Sequence, residues 1–215
     1  MSTGADSQAG TNPLQDGPDG WEQVIEAVGP AAMLVRIESR MGDALKRSLA
    51  AEDIWQETLL HAWRDRERHE WRGLPSFRRW LLEIAENRIR DTVDREGTLK
   101  RAGGLTQVSA LARADADGST PSSFAGAFSS TTPSRHVAHR EQADLMKRAL
   151  EALAPGLREV VSRRLFEEQG LDEIAAAMEL SHAAVKHRLR KGSTLYRERL
   201  QALLGSRASA IVEKP

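Results

Sequence analysis

The residues with the clearest potential for chemistry are cations near the C-terminus. Between Ser181 and Leu200 six cations stand against one acidic residue, Glu198, so this segment carries a charge of +5. The six are Lys186, Arg188, Arg190, Lys191, Arg197 and Arg199. On a helical wheel most of them fall opposite Val185, which predicts a basic face. Such a face meets phosphates and base edges in the major groove of DNA, although an ordinary solvated basic face has the same pattern.

Two carboxylates four residues apart form a second candidate group. Asp53 and Glu57 project from the same side of a predicted helix, close to Gln56. A catalytic pair of carboxylates needs a nucleophile or a metal partner, and neither stands near them in the sequence. A solvated helix face is the ordinary interpretation, and an acidic patch that binds a partner is the functional alternative.

Other catalytic or metal chemistry has little support in the sequence. The chain has no cysteine, which excludes disulfides, zinc knuckles and thiol nucleophiles. His136 and His139 have the spacing of two metal ligands on one helix, but no further histidine stands near them. We therefore interpret the six histidines as surface groups, and we expect no enzyme activity, catalytic residue, metal or cofactor.

Composition and hydropathy favour a cytoplasmic protein. The 215 residues include 31 basic and 31 acidic side chains, so the net charge is zero. This balance removes the simplest sign of a nucleic-acid-binding protein without excluding local patches. No apolar run is long enough to cross a bilayer, and the N-terminus lacks the basic start and apolar core of a secretory signal. We expect no membrane insertion.

Hydrophobic periodicity predicts an all-α protein with two small helical domains joined by a flexible linker. Helical spacing covers residues 21–96 and 140–204. The residues between them, 97–139, are rich in Gly, Ser, Thr, Pro and Ala, a composition typical of a flexible linker. Residues 1–20 and 205–215 are predicted tails, the first of them disordered.

In the first domain two amphipathic helices should position the acidic pair and a loop. The predicted buried stripe of the first helix is Ile54, Trp55, Thr58, Leu59, Ala62 and Trp63. Ser76 is the predicted N-cap of the second helix. The loop between the helices, residues 64–75, contains Trp71. Trp71 either folds onto the edge of the core or exposes its ring to unstacked bases.

In the second domain a short helix, a tight turn and a longer basic helix predict a helix-turn-helix. Residues 171–178 form the short helix, Glu179 and Leu180 form the turn, and Ser181 caps the long helix. The basic face then lies on the second helix of the motif, which is the one that enters the major groove.

Three segments together resemble a bacterial RNA polymerase sigma factor of the sigma-70 family, extracytoplasmic-function (ECF) type. They are AAEDIWQETLLHAWRD (50–65), FRRWLLEIAENRIRDTVDRE (77–96) and LDEIAAAMELSHAAVKHRLRKGSTLYRERL (171–200). Their order and the linker between them also match the family. Residues 21–50 match it less clearly, Ala50 stands where the pattern often has Asp, and the linker is longer than usual.

The resemblance implies a factor that binds core RNA polymerase and directs promoter-specific transcription initiation. It assigns polymerase binding to Asp53, Gln56 and Glu57. It assigns the minus-ten element to Trp71, Arg78, Asn87, Arg88 and Arg95, and the minus-thirty-five element to His182, Lys186, His187, Arg188, Arg190 and Lys191. The implied partners are core RNA polymerase and promoter DNA, with an anti-sigma factor as a further candidate.

Two other functions stay open at this point. A stand-alone helix-turn-helix transcriptional regulator would bind DNA as a dimer and would not need the acidic patch. A protein that imitates a sigma factor to sequester a regulator would not need the basic helix.

Overall fold

The computed structural model describes residues 12–101 and 133–212. All regular structure in these two ranges is helical, which confirms the all-α prediction. The helices are α1 (Gly17–Val28), α2 (Pro30–Arg40), α3 (Asp43–Lys46), α4 (Ala51–Asp65), α5 (Leu74–Arg101), α6 (Pro133–Glu151), α7 (Pro155–Leu165), α8 (Leu171–Ala177) and α9 (His182–Val212). A short 3-10 turn, Pro13–Gln15, precedes them.

Residues 12–20 are structured, which corrects the prediction of a tail over 1–20. The N–H of Leu14 donates to the side-chain oxygen of Asn12 at 3.1 Å, and the Leu14 side chain is fully buried. α1 begins at Gly17 and brings Trp21 into the core. The sequence did not predict this element, because a single apolar residue, Leu14, gives no periodic pattern within a Gly- and Asp-rich segment. Residues 1–11 lie outside the described residues.

Four other helix boundaries differ from the predictions. α5 begins at Leu74 and not after Ser76, and the N–H of Phe77 donates to the carbonyl of Gly73 at 3.1 Å. Pro75 lies in this first turn, where its missing N–H costs nothing. Both ends of the predicted linker are helical, because α5 continues to Arg101 and α6 starts at Pro133. α9 likewise passes through the predicted C-terminal tail as far as Val212. Residues 102–132 lie outside the described part of the chain.

The first domain packs α1, α2, α4 and α5 around an aromatic centre. The rings of Trp21 and Trp63 meet edge to face at 5.3 Å, and Trp21 meets Phe77 in the same way at 6.0 Å. All six residues of the stripe predicted for α4 are buried. The polar side of α4, which carries Gln56, therefore faces outward.

The second domain contains the predicted helix-turn-helix. Val160, Ile174 and Val185 are fully buried between α7, α8 and α9. The hydroxyl of Ser181 accepts a hydrogen bond from the N–H of Ala184 at 3.2 Å, which confirms the N-cap. A Cβ on Gly192 would lie 2.7 Å from a methyl group of Val161, so only glycine permits the close approach of α9 to α7.

The two domains touch each other through α2 and α6. One apolar cluster contains α2 residues such as Met33 together with Ala143 and Phe166 of the second domain. Within the described ranges, no helix combines the length and the apolar character that crossing a membrane requires.

Candidate functional site

The start of α9 presents the basic face that the sequence predicts. Of the six residues assigned to the minus-thirty-five element, five are exposed: His182, Lys186, His187, Arg190 and Lys191. Residues 186, 187, 190 and 191 follow one side of the helix. The positive end of the helix dipole lies at His182, in the first turn of α9. This face can neutralise phosphates and reach base edges.

Arg188 does not belong to this face. Its side chain is half-buried, and its Nη1 would lie 3.3 Å from a Cβ placed on Gly156, at the start of α7. Two residues after Lys186, a side chain on a helix points about 200° away. Arg188 therefore lies beside α7 and apart from the five exposed residues, and its assignment to the minus-thirty-five element stays a prediction.

A shallow groove runs along the basic face and adds a cation that the sequence did not single out. Its apolar residues include Leu171 and Leu189, and its rim carries Lys186, Arg190 and Arg164. Arg164 lies on α7, where its Nη1 donates to the carbonyl of Gln169 at 2.9 Å. The wheel of α9 alone could not show this residue, because a separate helix brings it to the groove.

The acidic side of α4 is accessible, but its three predicted residues differ in role. Gln56 is exposed, and Glu57 is half-buried. Asp53 accepts a hydrogen bond from the N–H of Ala50 at 3.1 Å and so fixes the start of the helix. Beside it, the carboxylate of Glu52 lies 3.3 Å from Arg140 of the second domain. Gln56 is thus the fully exposed residue of this face, whereas Asp53 holds the start of the helix.

Trp71 lies at the edge of the core of the first domain. Its ring is half-buried and stands 5.6 Å from Phe77. The accessible side of Trp71 lines a groove together with Leu74 of α5 and Asp19 of α1. Folding onto the core edge is therefore the observed arrangement, and part of the ring still faces the groove.

The four α5 residues assigned to the minus-ten element do not share one face. Arg78 donates to the carbonyls of Val28 and Ala27 at 3.0 and 2.9 Å, so it holds the end of α1. Arg88 pairs with Asp91 at 2.7 Å, and its side chain is 22% exposed. Both arginines therefore have partners within the fold, and their assignment to the minus-ten element stays a prediction.

The other two residues of α5, Asn87 and Arg95, are exposed and lie eight residues apart, on neighbouring parts of the helix surface. Asn87 accepts a hydrogen bond from Arg90 at 2.6 Å. Arg95 is exposed and lies seven residues after Arg88, on the same side of α5 as that arginine. A nucleic acid that crosses α5 can therefore meet Asn87 or Arg95, whereas Arg78 is occupied within the fold.

His69 is an organising residue of the loop that the sequence did not reveal. Its ring stacks on Trp80 with centroids 4.1 Å apart, and Phe77 lies edge-on at 5.7 Å. Burial lowers the pKa of the His69 imidazole, because desolvation outweighs the attraction of Glu70 and Glu83. The interpretation of all histidines as surface groups is wrong for His69, since aromatic neighbours from α5 cover its ring.

The histidine pair that suggested a metal lies on α6, away from the loop. His136 and His139 line a groove beside Trp21 and Trp55, and His139 Nε2 stands 3.6 Å from the carboxylate of Glu26. Within residues 12–101 and 133–212 no three potential metal ligands come together. The geometry of the pair is that of a contact between helices.

Two family models match this chain, one in each domain. Sigma-70 region 2 matches residues 31–98, and Sigma-70, region 4, matches residues 143–194. The RNA polymerase sigma factor CarQ of Myxococcus xanthus is 30% identical over 172 residues, which are 79% of this chain and 83% of that protein. The chain belongs to the sigma-70 family of RNA polymerase sigma factors. It is a sigma factor of the ECF type.

This sigma factor binds core RNA polymerase and directs promoter-specific transcription initiation. Membership of the family decides against a stand-alone regulator. Sigma factors are transcription initiation factors and are not known as enzymes.

Two solved structures are also similar to the sigma factor. A chain of the RsbN–BldN complex is 17% identical, with 86% of this chain and 94% of that chain covered and a TM-score of 0.30. The structure of CnrH with the cytosolic domain of CnrY is 20% identical, with 90% and 93% covered and a TM-score of 0.30.

Proposed function

We propose that the two domains divide polymerase binding and promoter reading between surfaces of opposite charge. The observation that carries the proposal is the exposure of five predicted residues on one end of α9. The first domain presents the polar side of α4, where Gln56 is exposed and Glu57 is half-buried. Surfaces of opposite sign select different partners, because like charges repel.

The side of α4 that carries Asp53, Gln56 and Glu57 is the proposed contact with core RNA polymerase. A complementary partner surface would be basic. Asp53 keeps the start of the helix in place through its hydrogen bond to Ala50, so Gln56 and Glu57 meet the partner from a fixed helix. Direct contact is proposed for these two residues and a positioning role for Asp53.

The start of α9 is the proposed reader of the minus-thirty-five element. Lys186, His187, Arg190 and Lys191 are placed to meet phosphates and base edges in the major groove. His182 lies nearest the start of the helix, where the dipole favours a phosphate. Arg188 packs on the start of α7, on the side of α9 away from the proposed DNA-binding face, and so holds α9 in place.

The loop with Trp71 and the exposed part of α5 are the proposed reader of the minus-ten element. An indole with one accessible face can stack on an unpaired base, worth ~1–3 kcal/mol per base. Asn87 and Arg95 are exposed on α5 and complete this surface. Arg78 and Arg88 hold the shape of the domain through Val28 and Asp91.

Two modest DNA contacts on one chain bind more tightly together than either does alone. Once polymerase holds the first domain, the second contact becomes intramolecular. A net charge of zero limits attachment to unrelated DNA. We place this activity in the cytoplasm, with bond formation left to the polymerase and an anti-sigma factor as a candidate regulator.

Reconstituted transcription tests the proposal. Core polymerase and the purified chain are incubated with a pool of genomic fragments, and the transcripts are sequenced. We expect new start sites that share two upstream sequence elements, which core polymerase alone does not use. A pool without added start sites would contradict the proposal.

A further inference from the structure

The groove beside Trp71 has a wall that the family match does not cover. Sigma-70 region 2 matches residues 31–98, whereas Asp16, Asp19 and Gln23, which line this groove, precede the matched region. The groove has a volume of about 440 Å³, within the ~300–1,000 Å³ that is typical of sites for small organic ligands. A single nucleobase is small enough to enter it.

The N-terminal wall of the groove has a fixed shape. Leu14 is fully buried beneath it, and the N–H of Asp16 donates to the carbonyl of Pro13 at 3.4 Å. A Cβ on Gly20 would lie 2.6 Å from the carbonyl oxygen of Pro13 and 2.7 Å from the Cβ of Asp16. Only glycine therefore lets the 3-10 turn pack this closely on α1, and the packing holds Asp16 and Asp19 at defined positions.

The carboxylates of this wall are free to accept hydrogen bonds. Asp16 is the N-cap of α1, yet its side chain makes no capping hydrogen bond. In the described part of the chain, the side chains of Asp16 and Asp19 have no hydrogen-bond or ion-pair partner, and both residues are exposed. Gln23 is also exposed and lies four residues after Asp19, so its amide can donate and accept on the same side of α1.

A groove with carboxylates and an indole favours the edge of a base over a phosphate. Carboxylates repel phosphate oxygens, but they accept hydrogen bonds from the exocyclic amino groups of bases. The accessible side of Trp71, which lines the same groove, can stack on an unpaired base. Adenine, cytosine and guanine carry an amino group, whereas thymine presents a carbonyl oxygen on each side of its single N–H. The groove is therefore complementary to an amino-bearing base and not to thymine.

We propose that the groove formed by Asp16, Asp19, Gln23 and Trp71 takes one unpaired, amino-bearing base of the minus-ten element. The base stacks on Trp71, and its amino group donates to a carboxylate of the N-terminal wall. The amide of Gln23 then meets an acceptor atom of the same base edge. This inference rests on the proposed minus-ten role of Trp71, to which it adds a chemical preference at one position. Because Asp16 and Asp19 precede the matched region, the chain's own N-terminal segment carries this preference.

Selection from a pool of random single strands tests the preference on the holoenzyme. Core polymerase carrying the full chain is incubated with the pool, and the bound strands are sequenced. For the parent we expect about tenfold depletion of thymine at one position, because a charge-assisted hydrogen bond is lost there. Asp16→Ala with Asp19→Ala should abolish this depletion and leave the other positions unchanged. Asp16→Asn with Asp19→Asn keeps neutral acceptor oxygens and should abolish only part of it.

A matched control separates the groove from the loss of negative charge. Asp43→Ala removes an exposed carboxylate from the first turn of α3, outside the groove, and should leave the depletion of thymine unchanged. Circular dichroism checks that each variant is folded. Equal base preferences of the parent and the Asp16→Ala, Asp19→Ala chain would overturn the proposal, as would an equal loss of preference in Asp43→Ala.

Removal of the amino group from the DNA tests the hydrogen bond itself. At the selected position adenine is replaced by unsubstituted purine, cytosine by 2-pyrimidinone, or guanine by hypoxanthine. We expect the parent holoenzyme to bind the altered strand about tenfold more weakly. The Asp16→Ala, Asp19→Ala holoenzyme should change less than about twofold, because the partner of the amino group is already absent. An equal loss for both holoenzymes would overturn the proposal.

Trp71→Ala distinguishes a failure of this inference from a failure of the proposed function. If Trp71→Ala lowers the affinity for single strands but the parent does not deplete thymine at any position, the minus-ten reader stands and the amino-group preference fails. If Trp71→Ala changes neither the affinity nor the base preference, the proposed reader and this inference both fail.

Discussion

The imidazole of His69 lies parallel to the indole of Trp80, with ring centroids 4.1 Å apart and 17° between the planes. This stack ties the loop after α4 to α5. Phe77 contacts both His69 and Trp71, so His69 and Phe77 together support Trp71, the ring of the proposed minus-ten reader. We expect the orientation of Trp71 to depend on His69 through Phe77.

Replacement of His69 should weaken the minus-ten contact selectively. An aromatic pair contributes ~0.5–1.5 kcal/mol beyond its buried area, so His69→Ala should lower affinity for minus-ten single strands about fivefold. His69→Phe keeps a flat ring and should retain most of the affinity. Fluorescence anisotropy with the holoenzyme measures both variants. Equal affinities of the parent and His69→Ala for minus-ten single strands would contradict a positioning role for His69. Duplex DNA with the minus-thirty-five element serves as the control, because both variants should bind it equally.

The same residue predicts a pH dependence of stability. Burial lowers the pKa of His69 from 6.5, so the folded state favours the neutral ring. Above pH 6.5 the ring is neutral in both states and full stability is present. As the pH falls below 6.5, the His69 imidazole is protonated first in the unfolded state. The free energy of unfolding therefore decreases until the pH reaches the lower pKa of His69 in the folded state. Thermal unfolding from pH 8 to pH 5 should show a smaller loss for His69→Phe. Equal loss of thermal stability for the parent and His69→Phe between pH 8 and pH 5 would contradict the prediction.

Charge reversal on α4 should disrupt polymerase binding without unfolding the chain. Gln56→Arg with Glu57→Arg places two cations against the expected basic partner, and affinity for core polymerase should fall at least about tenfold. Asp53→Asn is the comparison, because it weakens the hydrogen bond to Ala50 and should mainly lower stability. Binding is measured with labelled sigma factor and purified core polymerase. Unchanged affinity of the double variant would locate the polymerase contact elsewhere.

Arg78 should prove structural. Its two hydrogen bonds hold the end of α1, so Arg78→Ala should lower the free energy of unfolding by about 1–2 kcal/mol. Denaturant titration measures this loss. The affinity of the folded variant for minus-ten DNA should stay within about twofold of the parent. A loss of minus-ten DNA binding by Arg78→Ala at unchanged free energy of unfolding would show that Arg78 contacts the DNA, and would contradict the structural role.

The features that can be predicted from the sequence are those with one periodic stripe. The buried side of α4, which includes Trp55 and Leu59, follows from spacing alone. The exposed cations of α9 follow from the position of Val185, because a helix wheel separates a buried side from its opposite. The Ser181 cap is equally local.

The remaining features depend on residues far apart in the chain. Arg78 reaches a carbonyl 50 residues earlier, and Arg36 pairs with a carboxylate 132 residues later. No periodicity within one helix shows such partners. α6 illustrates the consequence: Ala143 is buried in the same apolar cluster as Met33 of α2, a partner more than 100 residues earlier in the chain. Surface cations that hold the fold therefore look the same in the sequence as cations that bind DNA.

The central claim is that the start of α9 reads the minus-thirty-five element while the first domain stays on the polymerase. Initiation is measured from a promoter found in the fragment pool and from its copy with a scrambled upstream element. The variants are Lys186→Ala with Arg190→Ala, and Arg188→Ala as the neighbouring control. For duplex binding, the slope of log K against log salt concentration should become shallower by about 0.9 for each lost phosphate contact.

We expect the double variant to lower initiation from the intact promoter at least about tenfold and to add no further loss once the upstream element is scrambled. Arg188→Ala should lower stability and leave promoter choice unchanged. An equal loss on both promoters, or no loss on either, would contradict the claim that α9 reads this element.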